Sequence, residues 1–103
     1  MTTRPQGLEE LDRIDVVFNA LAHPTRRQIL TVLRARGGSM TSGQLAERFD
    51  CAWPTTTRHL SILADAGLVT VTRSGRQRNY TLDRDLLHQV AGRWIGRFEP
   101  GPE

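Results

Sequence analysis

The chain has 103 residues, 38% hydrophobic and 24% charged, with a net charge of +3, which suits one domain and no second core. No apolar run approaches the ~20 residues that cross a bilayer, and the polar start MTTRPQG does not read as a secretory signal, so a cytoplasmic protein with no membrane partner is expected. The one cysteine, Cys51, supplies neither an internal disulfide nor a zinc-finger set of thiolates.

Residues 1–7, with Pro5 and Gly7, read as a flexible arm, residues 8–98 as a single domain and residues 99–103 as a flexible tail. From Leu8 to Ala22, the apolar residues Leu11, Ile14, Val17, Phe18 and Leu21 form one stripe of an amphipathic helix. Pro24 opens a second helix at a position where its missing N–H is harmless. Ile29, Leu30 and Leu33 form that helix's buried face, and Gly37 and Gly38 stop it. Thr41 with Gln44 makes a capping box, and Met40 with Leu45 a hydrophobic staple. The short helix that follows runs to about Arg48 and is expected to bury Leu45, Ala46 and Phe49.

After the turn Asp50-Cys51-Ala52, a longer helix spans residues 53–66 with Thr56, Leu60 and Leu63 on its inner face. Gly67 suits a left-handed C′ position, and Leu68 packs back on Leu63 in a Schellman arrangement. Residues 68–82, LVTVTR then a turn at Ser74-Gly75-Arg76 then QRNYTL, read as a β-hairpin. A last helix over residues 84–98 carries Leu87, Val90, Trp94 and Phe98 near one face, widened by Leu86, Ala91 and Ile95.

Two helices, a short capped helix, a tight turn, a longer helix, a hairpin and a final helix make a mainly α fold with a small β-hairpin wing, the winged helix-turn-helix plan. A helix about 10–12 Å across fits the B-DNA major groove, about 12 Å wide. The longer helix leaves Trp53, Pro54, Thr57, Arg58 and Ser61 on its outer, N-terminal side. Thr41 and Ser42 at the start of the bracing helix join them as expected DNA contacts. All fourteen basic residues are arginine, a choice that codon usage explains as readily as function, so position carries the weight. Arg73, Arg76 and Arg78 crowd the hairpin tip, where mutual repulsion favours an adjacent phosphate backbone or narrow minor groove. The competing reading is a solvated basic hairpin.

Three ordered segments now carry a resemblance. ALAHPTRRQIL (residues 20–30), PTTTRHLSILADAGLV (residues 54–69) and GRQRNYTL (residues 75–82) resemble the second-helix opening, recognition-helix signature and wing of ArsR-type (ArsR/SmtB) transcriptional regulators. The match spans roughly Val17 to Leu87. The resemblance implies a homodimeric, mostly repressing regulator with a terminal-helix interface, binding a double-stranded operator that is an inverted repeat. Independently, the first and last helices carry apolar stripes too broad for so short a monomer, as interfaces do. The expected interface comprises Leu11, Ile14, Val17, Phe18, Leu21, Leu87, Val90, Trp94 and Phe98.

The sequence also departs from that family's sensors. The Cys-x-Cys of many metal-responsive members is absent from Leu45-Ala46-Glu47-Arg48-Phe49. Asp83, Asp85 and His88 are present without a second histidine downstream, short of the four ligands zinc prefers. Asp85 and His88 read as a surface ion pair, and no metal or other cofactor is expected. The alternative function is a sensor-repressor released by a metal or thiol signal. Cys51 reads as a small buried hydrophobe. Ala52 puts no side-chain acceptor at the recognition-helix N-cap. His59 is expected to be structural, between that helix and the wing, and His23 a poor cap for the second helix. Trp53 fits a core staple, a thymine-methyl contact or a lid on the turn. No catalytic triad, phosphate loop or carboxylate pair can be traced, so an enzyme is not expected.

Overall fold

The computed structural model describes residues 6–49 and 52–101. Helices α1 (Gln6–Leu21), α2 (Pro24–Ala35), α3 (Ser42–Arg48) and α4 (Trp53–Asp65) accompany a small sheet of β1 (Ser39–Thr41), β2 (Val69–Ser74) and β3 (Gln77–Leu82), against which α2, α3 and α4 pack. The chain then runs through α5 (Arg84–Leu87), a π-helical turn (His88–Gly92) and α6 (Arg93–Gly96). No described helix is long and apolar enough to cross a membrane.

The segment around Pro24 shows how sequence becomes architecture. Helix α1 ends with unsatisfied carbonyls, and two arginines just inside α2 reach back to them. Arg26 Nε donates to Ala20 O at 2.7 Å and Nη2 to Asn19 O at 3.0 Å, while Arg27 Nη1 donates to Leu21 O at 2.8 Å. Their charge complements the negative end of the α1 dipole. His23 corrects its expected weakness as a cap: its Nδ1 accepts from Thr25 N at 3.1 Å. Helix α2 closes in a Schellman motif, with Gly38 N donating to Leu33 O at 2.7 Å and both Gly37 and Gly38 at positive φ.

Both local signals around α3 are realised. Gln44 N donates to Thr41 Oγ1 at 3.1 Å and Thr41 N to Gln44 Oε1 at 2.9 Å. The expected buried set is corrected: Leu45 is fully buried, Phe49 half-buried and Ala46 exposed, because a two-turn helix aims one narrow stripe inward. Strand β1 is an element the sequence reading missed. It pairs antiparallel with β3, Met40 opposite Tyr80, giving the sheet order β1-β3-β2. Three residues between a glycine stop and a capping box are too short to show a period, and their partner lies about forty residues away.

Helix α4 ends in the expected Schellman motif, Leu68 N to Leu63 O at 3.0 Å and Gly67 N to Ala64 O at 2.9 Å. Gly67 has φ +80°, and a Cβ there would lie 2.9 Å from Leu86 Cδ1. The wing strands pair from Val69 opposite Leu82 to Ser74 opposite Gln77. That leaves a two-residue turn, Gly75-Arg76, with positive φ at its first position only, the pattern of a type II′ hairpin.

Thirteen buried apolar residues from Val17 to Ala91 form one core, in which Leu60 and Leu63 of α4 meet Ile29 and Leu33 of α2 and Leu45 of α3. The chain is nonetheless a slab of 47 × 45 × 22 Å with a radius of gyration of 15.9 Å, against about 13 Å for a compact domain of this length.

Candidate nucleic-acid interface

Helix α4 is held from behind by Thr56, Leu60 and Leu63, all buried. This fixes Trp53, Pro54, Arg58 and Ser61 outward and exposed. Trp53 is 37% exposed and lies outside the core cluster. Thr57 is only half-exposed, and its Oγ1 is buried with no hydrogen-bond partner among the described residues. The α4 N-terminus has no side-chain cap at Ala52. In the bracing helix, Thr41 and Ser42 are half-buried, with the Thr41 hydroxyl engaged in its capping box. Cys51 lies outside the described residues.

The wing places Arg73 directly opposite Arg78 across the β2–β3 ladder, with Arg76 at the turn, and all three are exposed. Like charges facing across a strand pair destabilise it. Residues 53–82 contain four arginines and one carboxylate, Asp65, whereas ten arginines and ten carboxylates balance over the rest of the chain. The whole net charge of +3 therefore sits on α4 and the wing.

On the terminal helices, Trp94 packs edge-on against Phe18 with ring centroids 5.2 Å apart and tilts against Phe98 at 4.8 Å. Of the expected interface residues, Val17 and Ile14 are buried inside the protomer, at 0% and 6% exposure. Phe18, Leu21, Leu87, Val90 and Trp94 are half-buried, and Leu11 and Phe98 are exposed. Leu8, Val16 and Ile95 join the exposed apolar set. Arg97 spans to Glu10 at 2.7 Å, a solvent-exposed pair that adds little stability.

The remaining sequence candidates fall elsewhere. Asp85 and His88 form no ion pair among the described residues; Asp83 caps α5 by accepting from Leu86 N at 3.0 Å. No three His, Cys, Asp or Glu side chains converge among the described residues. His59 faces His23, ring centroids 4.4 Å apart, and its Nδ1 sits 3.2 Å from Arg26 Nη1. Burial lowers its pKa, and His23, Arg26 and Arg58 lower it further. Arg26 was missed as a functional candidate. Its signal was an arginine two residues beyond a helix-opening proline, within reach of the preceding helix's end.

Comparison with known proteins agrees with this geometry. The helix-turn-helix domain family matches residues 21–72. The chain is 39% identical over 82 residues to the transcriptional repressor SdpR of Bacillus subtilis, covering 80% of this chain and 88% of that one. The crystal structure of an ArsR family transcriptional regulator superposes with a TM-score of 0.71 at 32% identity, over 94% of this chain and 91% of that one. A homodimeric winged helix-turn-helix DNA-binding domain from Mycobacterium bovis shares the fold, with a TM-score of 0.73 at 24% identity, over 100% of this chain and 98% of that one. A basic helix-and-wing surface on this fold, with relatives that regulate transcription, places the chain in the ArsR family of winged helix-turn-helix DNA-binding transcriptional regulators.

Proposed function

We propose that this protein is a cytoplasmic homodimeric repressor that occupies an inverted-repeat operator. Helix α4 enters the major groove, where Arg58 reads base edges with Trp53, Pro54, Thr57 and Ser61 around it. Arg73, Arg76 and Arg78 hold the backbone or minor groove beside it, and Thr41 and Ser42 lie at the start of the bracing helix. The observation that carries the reading is the placement of the whole net charge on α4 and the wing, with Arg73 facing Arg78. Phosphate contacts relieve that repulsion and provide sequence-independent affinity. A bidentate arginine–guanine pair adds sequence discrimination.

The second copy docks through the terminal helices. Leu8, Leu11, Ile95 and Phe98 are 44–67% exposed there. An obligate interface of this kind buries on the order of 2,000 Å² or more. Two-fold symmetry then requires half-sites about 10 base pairs apart, or a multiple of that. Asp83, Asp85 and His88 have no second histidine downstream in the sequence, short of the four ligands zinc prefers, so this reading has repression independent of zinc.

Selection of bound duplexes from a random pool tests the proposal. An inverted repeat should be recovered, unchanged by chelator. Failure to enrich any sequence, or enrichment of a single unrepeated site, would overturn it.

A further inference from the structure

Arg26 is a charged side chain at 8% exposure, and its whole fork is engaged. Nε and Nη2 hold the Ala20 and Asn19 carbonyls at the end of α1, and Nη1 meets Nδ1 of His59 in the middle of α4. One guanidinium thus joins a terminal helix to the helix that carries the DNA-facing residues. Among the described residues its charge is met by carbonyls at the negative end of the α1 dipole rather than by a carboxylate.

The chemistry of this contact fixes the protonation state of the ring. Arginine has donors and no acceptor, so His59 Nδ1 accepts, the ring proton sits on Nε2, and His59 is neutral. A second proton on Nδ1 would set donor against donor and cation against cation. The groups acting on His59 are His23 and Arg26 from the start of α2 and Arg58 from its own helix. None of them carries negative charge.

We infer that Arg26 is a positioning residue for DNA binding, which seats the recognition helix against α1 through His59, and that this joint opens in mild acid. The inference rests on α4 being the recognition helix. Its sign is distinctive: an extra proton near DNA ordinarily strengthens binding by adding a cation beside phosphate, whereas opening this joint weakens it. Folding stability follows the same direction. The His59 pKa lies below its ordinary 6.5 in the folded chain, so the unfolded chain takes the proton first. The contribution is complete above about 6.5 and is lost as pH falls from there towards the folded value.

The test uses the full chain and the duplex recovered by selection, at constant salt, between about pH 7.5 and about pH 5.5, the range over which histidine titrates. Wild-type affinity should fall roughly tenfold, the scale of one broken charge-assisted hydrogen bond. His59→Asn keeps an acceptor that does not titrate, so whatever affinity it has at the higher pH it should keep in acid. His23→Asn keeps an acceptor at the α2 cap and should retain the acid loss. Arg26→Lys keeps the charge without the fork and should bind weakly throughout.

Amide NMR of the free protein reads the joint without DNA. Residues of α4 and the Asn19 and Ala20 amides should shift together with the His59 ring, and stay still in His59→Asn. Affinity that is constant or rises in acid, or an acid loss undiminished in His59→Asn, would overturn the inference. Amides that shift as expected in a protein that selects no DNA would sink the recognition reading and leave the joint standing. Selective DNA binding with amides indifferent to His59 would do the reverse.

Discussion

Helix α4 with the wing and the paired terminal segments stand on one core, yet they expose opposite chemistries. The first surface offers Arg58, Arg73, Arg76 and Arg78 among small polar side chains. The terminal helices expose Leu8, Leu11, Ile95 and Phe98 and carry the Phe18–Trp94–Phe98 ring cluster. Each is costly to leave bare, for different reasons. Crowded cations repel one another until an anion neutralises them, while exposed apolar side chains stay hydrated until another apolar surface covers them. The contrast teaches that the two surfaces need two kinds of partner. In the proposed function a polyanion covers one and a second copy the other, so separate substitutions should remove each alone.

The largest effect is expected on the apolar side. Introducing Leu11→Asp and Phe98→Asp together places charges on residues 46% and 67% exposed in the protomer. The fold should survive, while dimerisation should weaken by about 2 kcal/mol or more, as for a central interface anchor. Sedimentation equilibrium decides it: a dimer that persists at micromolar concentration shows that the terminal helices are not the interface.

On the basic side the effects are smaller and divide by kind. Arg58→Ala should cost about 1–3 kcal/mol on the selected operator and little on scrambled duplex. Arg76→Ala should weaken both duplexes alike and flatten the salt dependence by about one unit of slope for each phosphate it no longer neutralises. Salt titrations on the two duplexes check this. Equal losses for Arg58→Ala would make α4 a phosphate anchor and move sequence reading to Trp53 or its neighbours.

The smallest effect concerns the two helix starts on that side. Helix α3 has its capping box and α4 has Ala52 with no side-chain cap. Thr41→Ala should lower, and Ala52→Ser should raise, unfolding stability by about 1 kcal/mol each, measured by urea denaturation. No gain from Ala52→Ser would mean that the α4 N-terminus already has its partners.

Features closed by bonds within a few residues were legible in the sequence: the Thr41–Gln44 box, the glycine stops at Gly37, Gly38 and Gly67, and the turn at Gly75. So was the outward face of α4, because Thr56, Leu60 and Leu63 follow the helical period. The last helix was less legible. A π-helical turn at His88–Gly92 interrupts it, and the added residue shifts the phase of the stripe, which leaves Ile95 58% exposed. Similarly, α1 shows apolar residues on several sides, and their spacing does not say that Val17 fills the protomer core while Leu11 faces out.

The amino-acid sequence by itself determined the helix-helix-hairpin order, the caps and stops that bound it, and the basic surface on α4 and the wing, since these depend on local bonding and helical or strand period. Only the tertiary structure decided that Ser39–Thr41 is a strand, bonded through Ser39 Oγ and Thr81 Oγ1 at 3.1 Å across 42 residues. It alone seated Arg26 against His59, 33 residues away. Such partners meet only when the core of Leu33, Leu45, Leu60 and Leu63 closes. A buried arginine then takes whichever acceptors that closure brings within reach.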